Sequence, residues 1–378
     1  MSKDIESHNE FREYCRDFLQ REAVPYQAQW EQQGLVDRSF WKKMGEAGLL
    51  GMEIDPEYGG QGRKGISHTV ILTEELISAG LTAPIIISHN DVLASYINAH
   101  GTEQQKKRWL PALCSGEKVA AIATTEPGGG SDSTEIKTTA VRDGEKYVVN
   151  GSKAYITNGV NADIVVTAVQ TGSGQRGQGL SLLALERGLS GFTRGAALKK
   201  LGWHASDTAA LYFEDCHVPA DNLIGRENMG SYYFMTAMTR ERLSISSVAV
   251  ATAETILKET LEYSKNRIAF GQPIGSLQHN KFTLANLDTE VKIARIYLND
   301  AIDKFNRKKL NVDDAARAKL WTTNLQVKVA EQCMQLHGAS GYMSDSSMGK
   351  HWVNSRVQKI YGGTSEVLQE VIGKSIGL

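Results

Sequence analysis

An α+β protein built as helices, then a sheet, then longer helices is predicted by three changes of texture along the chain. Residues 1–116 repeat apolar positions every three or four residues, the period of a helix face. Residues 117–225 break into short apolar pieces divided by turn signals. After Gly225 the helical period returns over longer stretches.

In the first stretch, EFREYCRDFLQREA and DRSFWKKMGEAGLL carry the helical rhythm, interrupted by Gly and Pro. GQGRKG, Gly60 to Gly65, matches the dinucleotide pattern G-x-G-x-x-G. The MEIDPEYGG before it is too short and proline-broken for the strand that pattern requires, so its glycines are assigned to a turn between helices.

In the middle stretch VAAIATT, KYVVNG, DIVVTAV, LSLLAL and AALYFEDCHV read as strands. Asp143-Gly144, Asn150-Gly151 and Asn158-Gly159 read as turns, and together they predict an antiparallel sheet. TGSGQRGQG, 171–179, is a polar loop.

In the last stretch Leu284, Leu287, Val291, Ala294, Leu298, Ala301 and Phe305 follow a 3-4-3-4 spacing, the stripe of a bundle helix. A further helix is expected from about Val312 to Leu336, ending at Gly338.

Composition narrows the function. With 42 Lys and Arg against 43 Asp and Glu, nothing favours a nucleic-acid or anionic membrane partner. No run of 18 apolar residues predicts a membrane span. MSKDIESHNEFREYC has no signal-peptide core, which suggests a cytoplasmic protein. Cys15, Cys114, Cys216 and Cys333 lie far apart and read as reduced thiols; no cysteine or histidine pair has metal-ligand spacing.

Two segments carry chemistry. In ATTEPGGGSD, 123–132, three glycines free the backbone to approach a ligand, while Thr124, Thr125, Ser131 and the amides offer donors. A plain turn has the same composition. In MTRERLSI, 238–245, Glu241 shares a helix face with Phe234, Met238 and Ile245. Snorkelling, or an ion pair with Arg240 or Arg242, is the alternative to a reactive carboxylate there.

Five motifs then occur in order: TTEPGGGSD (124–132), NGSKAYITNG (150–159), NRIAFGQPIGSLQ (266–278), QLHGASGY (335–342) and KIYGGTSE (359–366). Together with LGWHASDTAALYFEDCHVPADNLIG (201–225), they resemble the acyl-CoA dehydrogenase family over almost the whole chain.

The resemblance implies an N-terminal helical domain at 1–116, a central β domain at 117–225 and a C-terminal four-helix domain at 226–378. It implies bound FAD and an acyl-CoA substrate. It also implies electron-transferring flavoprotein as partner and a homo-oligomer, a tetramer first and a dimer as fallback.

By the same resemblance, Ile122, Thr124, Thr125 and Ser131 line the flavin, Ser131 also facing the thioester. Tyr155 stands where many members carry Trp over the flavin, and Thr157 reaches N5; Tyr155 as a half-buried strand aromatic is the alternative. Arg267, Phe270 and Gln278 resemble residues that reach a neighbouring subunit's FAD. Gln335, Gly338 and Ala339 resemble the segment completing the adenine and pyrophosphate site, Ala339 replacing a glycine common in the family. Thr364 and Glu366 are assigned to the cofactor side, and Arg242, Tyr361 and Gly362 to the substrate.

One departure matters most. Where many members carry the catalytic Glu after the tyrosine, this chain has Gly362. Long-chain and isovaleryl-CoA dehydrogenases carry the base instead within E-R-L, which matches Glu241-Arg242-Leu243. The resemblance therefore implies Glu241 as the base, with Glu366 the rival carboxylate. Alternatives are a dehydrogenase of carrier-protein-bound acyl or aminoacyl thioesters, a flavin oxidase or monooxygenase, and a non-catalytic flavin binder.

Overall fold

The computed structural model describes residues 7–81, 84–132, 136–172 and 179–378. Most of the expected polar loop, 173–178, lies outside the described residues, as do the first six residues. The described chain forms two compact units, one drawn from residues 1–69 and 82–238, the other from 70–81 and 239–378.

In the first unit, α1 (His8–Glu22) opens with a capping box, Ser7 and Glu10 each accepting from the other's backbone N–H. Next come α2 (Gln27–Gln33) and α3 (Arg38–Glu46). GQGRKG follows a short turn at Pro56–Tyr58 and precedes α4 (Ser67–Ser78), with no strand before it. Then come α5 (Pro84–Val92), continued by a π-helical turn at Leu93–Asn98, and α6 (Glu103–Cys114).

The strands are β1 (Ala120–Ala123), β2 (Thr139–Asp143), β3 (Lys146–Thr157), β4 (Ile164–Gln170), β5 (Leu180–Glu186), β6 (Phe192–Arg194), β7 (Thr208–Pro219) and β8 (Leu223–Ile224). They form one sheet in the order β6-β7-β3-β2-β4-β5-β8, with β1 beside β4. Most pairs are antiparallel, but β1–β4 and β2–β4 are parallel. A hairpin turn cannot produce that pairing; β1 is entered from α6 instead.

β4 explains its own sequence. Ile164, Val166 and Ala168 pack with Trp109, Leu110 and Leu113 of α6, while Val165 and Val169 pack with Tyr147, Leu211 and Phe213. A strand covered on both faces reads as a continuous apolar run rather than an alternation.

Two turn signals behave as expected and one does not. Gly144 and Glu145 form a two-residue hairpin loop between Asp143 and Lys146. Asn158 adopts φ +60° as β3 ends. Asn150-Gly151 is not a turn: β3 runs through it, and its pairing with β7 shifts register between Val149 and Gly151. Gly is needed there because an added Cβ would lie 2.7 Å from Thr138 Cα.

The second unit holds most of α7 (Gly230–Asn266), a two-stranded β9 (Ile268–Ala269) and β10 (Gln272–Pro273), α8 (Gln278–Asn306), α9 (Val312–His337), α10 (Ser347–Val357) and α11 (Ser365–Ser375). The expected α8 stripe is buried from Leu284 to Ala301, while its last expected member, Phe305, is partly exposed. Along α7, Ser246, Ser247, Thr252 and Thr260 return their hydroxyls to the carbonyl four residues back, so a polar sequence can be buried. Residues 70–81 join this unit although they come early in sequence. Arg295 of α8 holds Glu74 of α4 and, through Nη2 at 2.6 Å, Glu254 of α7.

Candidate active site

The second unit gathers Glu241, Arg242, Tyr361 and Gly362 into one neighbourhood. Gly362 and Gly363 follow α10 with φ +64° and +92°, a backbone form that favours glycine. A Cβ on Gly362 would stand 3.3 Å from Glu241 Oε1 and 2.3 Å from Ile245 Cδ1. Glu241 thus points at the turn where the family resemblance puts an alternative carboxylate. A Cβ on Gly363 would be 4.0 Å from an Arg242 Nη.

This neighbourhood is rich in donors without acceptors. Among the described residues, neither the Gly362 nor the Gly363 N–H meets an acceptor. The same holds for buried Arg242 Nε and Gln358 Nε2. Tyr361 donates to Gln358 Oε1 at 2.5 Å. Burial pushes the Tyr361 phenol up, and the Glu241 charge pushes the same way. Burial lowers the Arg242 guanidinium, opposed by Glu241.

The rival, Glu366, is exposed in the first turn of α11, where Thr364 caps the helix by accepting from Val367 N at 3.3 Å. The chain's own backbone and Thr364 hold its carboxyl below the usual range. Both residues shape a helix start.

Other segments of this unit expose their expected residues. Phe270, at φ +53°, is 92% exposed on the tip joining β9 to β10. Arg267 and Gln278 are exposed beside that hairpin in sequence. Gln335, Gly338 and Ala339 are exposed at the end of α9. Gly338 takes φ +60°, ψ −144°, a region restricted to glycine.

In the first unit, Ala154 N donates to Thr125 O at 2.9 Å, joining the end of β1 to β3 beside Tyr155. Tyr155 is 70% exposed at φ +59°, where β3 slips register between Lys153 and Ile156. A half-buried strand aromatic does not describe it: a left-handed, exposed tyrosine is a strained residue held out from the sheet. Thr157 closes β3 opposite Thr208. Ile122, Thr124 and Thr125 are partly exposed, Ile122 packing on the helix-side core. Ser131 is exposed.

The glycine run is anchored by Glu126. Its carboxylate accepts from Lys153 Nζ at 2.8 Å, Thr138 Oγ1 at 2.6 Å and Lys137 N at 2.7 Å. Burial would raise Glu126, but the Lys153 and Thr138 bonds outweigh it and hold the carboxyl low. None of Gly128, Gly129 and Gly130 has positive φ, and a Cβ on Gly129 would meet nothing within 4 Å. The chain's own packing therefore does not demand this glycine run.

Models of the acyl-CoA dehydrogenase N-terminal, middle and C-terminal domains match residues 5–117, 121–216 and 228–377. The chain belongs to the acyl-CoA dehydrogenase family.

Rat (Rattus norvegicus) mitochondrial long-chain specific acyl-CoA dehydrogenase is 40% identical over 98% of this chain and 86% of its own length. The rat mitochondrial short-chain specific enzyme is 34% identical over 97% and 89%. An acyl-CoA dehydrogenase crystal structure from Geobacillus kaustophilus is 42% identical, with a TM-score of 0.97 over 99% of this chain and 98% of that one. The fold is that of acyl-CoA dehydrogenases, and the chain is an FAD-dependent oxidoreductase of that family.

The residues present fit FAD. An exposed, strained Tyr155 beside Thr125 and Thr157 offers a ring face and hydroxyls, and a glycine run not required by packing lies alongside in sequence. Phe270, apolar and almost fully exposed, is a side chain in need of a cover.

Two site residues were missed in the sequence, Lys319 and Gln358. Both are fully buried, Lys319 between Ala315, Ala316, Thr322 and Thr323 on the inner face of α9. A charged residue on an apolar helix face was the signal that picked out Glu241, and the same signal was there for Lys319.

Proposed function

We propose that this protein removes two hydrogens across Cα–Cβ of a saturated acyl-CoA thioester, giving the trans-2-enoyl thioester, and passes the electrons to electron-transferring flavoprotein. The observation that carries this reading is Glu241 Oε1, 3.3 Å from the Cβ position of a glycine whose amide has no acceptor among the described residues.

Glu241 takes the α proton onto its carboxylate, and bound FAD would supply the acceptor for the β hydride. As the α proton leaves, negative charge develops on the thioester oxygen. The Gly362 and Gly363 N–H groups are fixed donors for it, worth most if aimed at that oxygen in the transition state. Arg242 cannot give up its proton and orders the surroundings of Glu241. On the flavin side, Thr125 and Thr157 would donate to the ring and Tyr155 would cover it. Arg267, Phe270, Gln278, Gln335, Gly338 and Ala339 would hold the dinucleotide half, the first three toward a neighbouring subunit's FAD.

We take the functional boundaries as 1–116, 117–225 and 226–378, the assembly as a homotetramer and the location as cytoplasmic. The long- and short-chain relatives bracket a wide range of acyl lengths, and pantetheine thioesters on a carrier protein present the same reacting atoms.

Anaerobic titration of FAD-loaded protein with saturated acyl-CoAs of graded length tests the reading. Bleaching of the flavin by at least one thioester is expected, with no bleaching by the matching free acid. Failure of every thioester to bleach it overturns the proposal.

A further inference from the structure

α9 carries a lysine into the interior beside the glycine turn. Lys319 is fully buried, and its Nζ donates to Gly363 O at 2.6 Å. Its Cε lies 3.5 Å from the Cβ position of Gly362, the position that Glu241 Oε1 approaches to 3.3 Å. Lysine stem and carboxylate therefore flank one glycine.

A leucine or methionine would fill this space without the desolvation of an amine, so packing does not account for the lysine. The Gly363 carbonyl alone is a weak reason to bury a charge. The groups that act on it are Glu241 and Arg242 of α7, and the Glu241 charge also acts on Tyr361, which follows α10. Burial lowers the Lys319 ammonium to about 8, helped by Arg242 and opposed by Glu241, so it keeps most of its charge at pH 7.

Resting on the reading of Glu241 as the base, we propose that Lys319 is a positioning residue of this site. Its hydrogen bond to Gly363 O holds the Gly362–Gly363 turn with both amides free for the thioester oxygen, and its ammonium supplies the positive charge facing Glu241. The two halves make different demands on a substitute. Charge alone suffices for the second, whereas the first needs a donor of lysine's length and shape.

The test uses FAD-loaded protein carrying Lys319→Met or Lys319→Arg. One arm follows anaerobic single-turnover flavin reduction by a saturated acyl-CoA across pH. Removing a cation facing a carboxylate makes its proton harder to lose. The acid limb in Lys319→Met should therefore move up by about one pH unit, while Lys319→Arg keeps the limb in place.

The other arm needs no turnover. It compares equilibrium binding of an enoyl-CoA thioester with that of its thioether, in which the carbonyl is replaced by methylene. The thioester's advantage should shrink about tenfold in both variants, the loss of roughly one hydrogen bond to the carbonyl.

A wild-type acid limb together with a wild-type thioester advantage in Lys319→Met overturns the proposal. Should that variant fail to retain FAD, Lys319→Arg decides it alone: an undiminished thioester advantage overturns it. Wild-type reduction in Glu241→Gln would instead remove the base reading, and with it the charge half. The binding arm would still decide the turn.

Discussion

Glu241 and Gly362 are two ends of one geometric choice. On the proposed reading, a carboxylate could reach the reacting carbon from α7 or from the turn after α10, and in this chain Glu241 of α7 carries it where Gly362 offers none. Space is a further constraint: a Cβ on Gly362 would lie 2.3 Å from Ile245 Cδ1. Moving the base therefore needs room as well as a carboxyl group, and a non-glycine residue at φ +64° costs a further 1–2 kcal/mol or so. Glu241→Gln with Gly362→Glu should recover little flavin-reduction activity. Adding Ile245→Val, which removes the obstructing methyl, should recover more. Equal rates in the double and triple variants would show that Ile245 is not the obstacle.

Two buried contacts help to hold β1 and the loop after it. Glu126 in that loop pairs with Lys153 of β3 beside Tyr155, with side chains 10% and 0% exposed. Burial lowers Lys153 to about 8 against the pull of Glu126. Lys153→Met leaves Glu126 buried without its cation and should cost about 3–5 kcal/mol, with loss of FAD. Lys153→Met with Glu126→Gln should restore part of the stability, as read by denaturant unfolding. An undiminished midpoint in the single variant would count against the pin. His89 of α5 accepts Ala120 N–H of β1 at Nδ1, 3.0 Å, so its Nε2 must carry the proton offered to Leu113 O of α6. Burial lowers this imidazole from 6.5 to about 4. The unfolded chain binds the proton first as pH falls, so His89's stability is full above pH 6.5 and lost on the way down to about 4. The loss should approach 3 kcal/mol or so, and His89→Gln should flatten that part of the stability–pH curve.

For the whole molecule, legibility followed periodicity. The α8 stripe and the end of α9 were visible because burial repeats with the helical period, and β1, β3, β4, β5 and β7 because short apolar runs are bounded by turn residues, whereas β2, β6 and β8 are too short or too polar to stand out. Asn150-Gly151 misled because a bulge and a turn use the same residues, and only the partner strand distinguishes them. Residues 70–81 lie within the N-terminal stretch by sequence, while their contacts group them with residues 239–378, a long-range choice that no local pattern encodes. At the proposed site, Glu241 stands out in the sequence as a carboxylate on an apolar face together with a missing one at Gly362. Lys319 carries the same signal, a charge on an apolar helix face, but no second observation in the sequence, such as a missing group at a motif position, singles it out. Phe270 bears on assembly. An apolar side chain 92% exposed in one chain, on a motif resembling one that reaches a neighbour's flavin, predicts an oligomer that retains FAD. Light scattering should find a tetramer, and Phe270→Ser should lower FAD retention and assembly together. A fully flavin-loaded monomer at micromolar concentration would contradict this.

If Glu241 on α7 takes the α proton, Glu241→Gln removes that step alone, because the amide keeps size and reach but cannot accept the proton. The measurement is anaerobic stopped-flow bleaching of bound FAD by a good acyl-CoA substrate, after confirming wild-type FAD content and ligand binding. The reduction rate should fall by at least about 10²-fold. A near-normal rate in Glu241→Gln would contradict the assignment of Glu241 as the base.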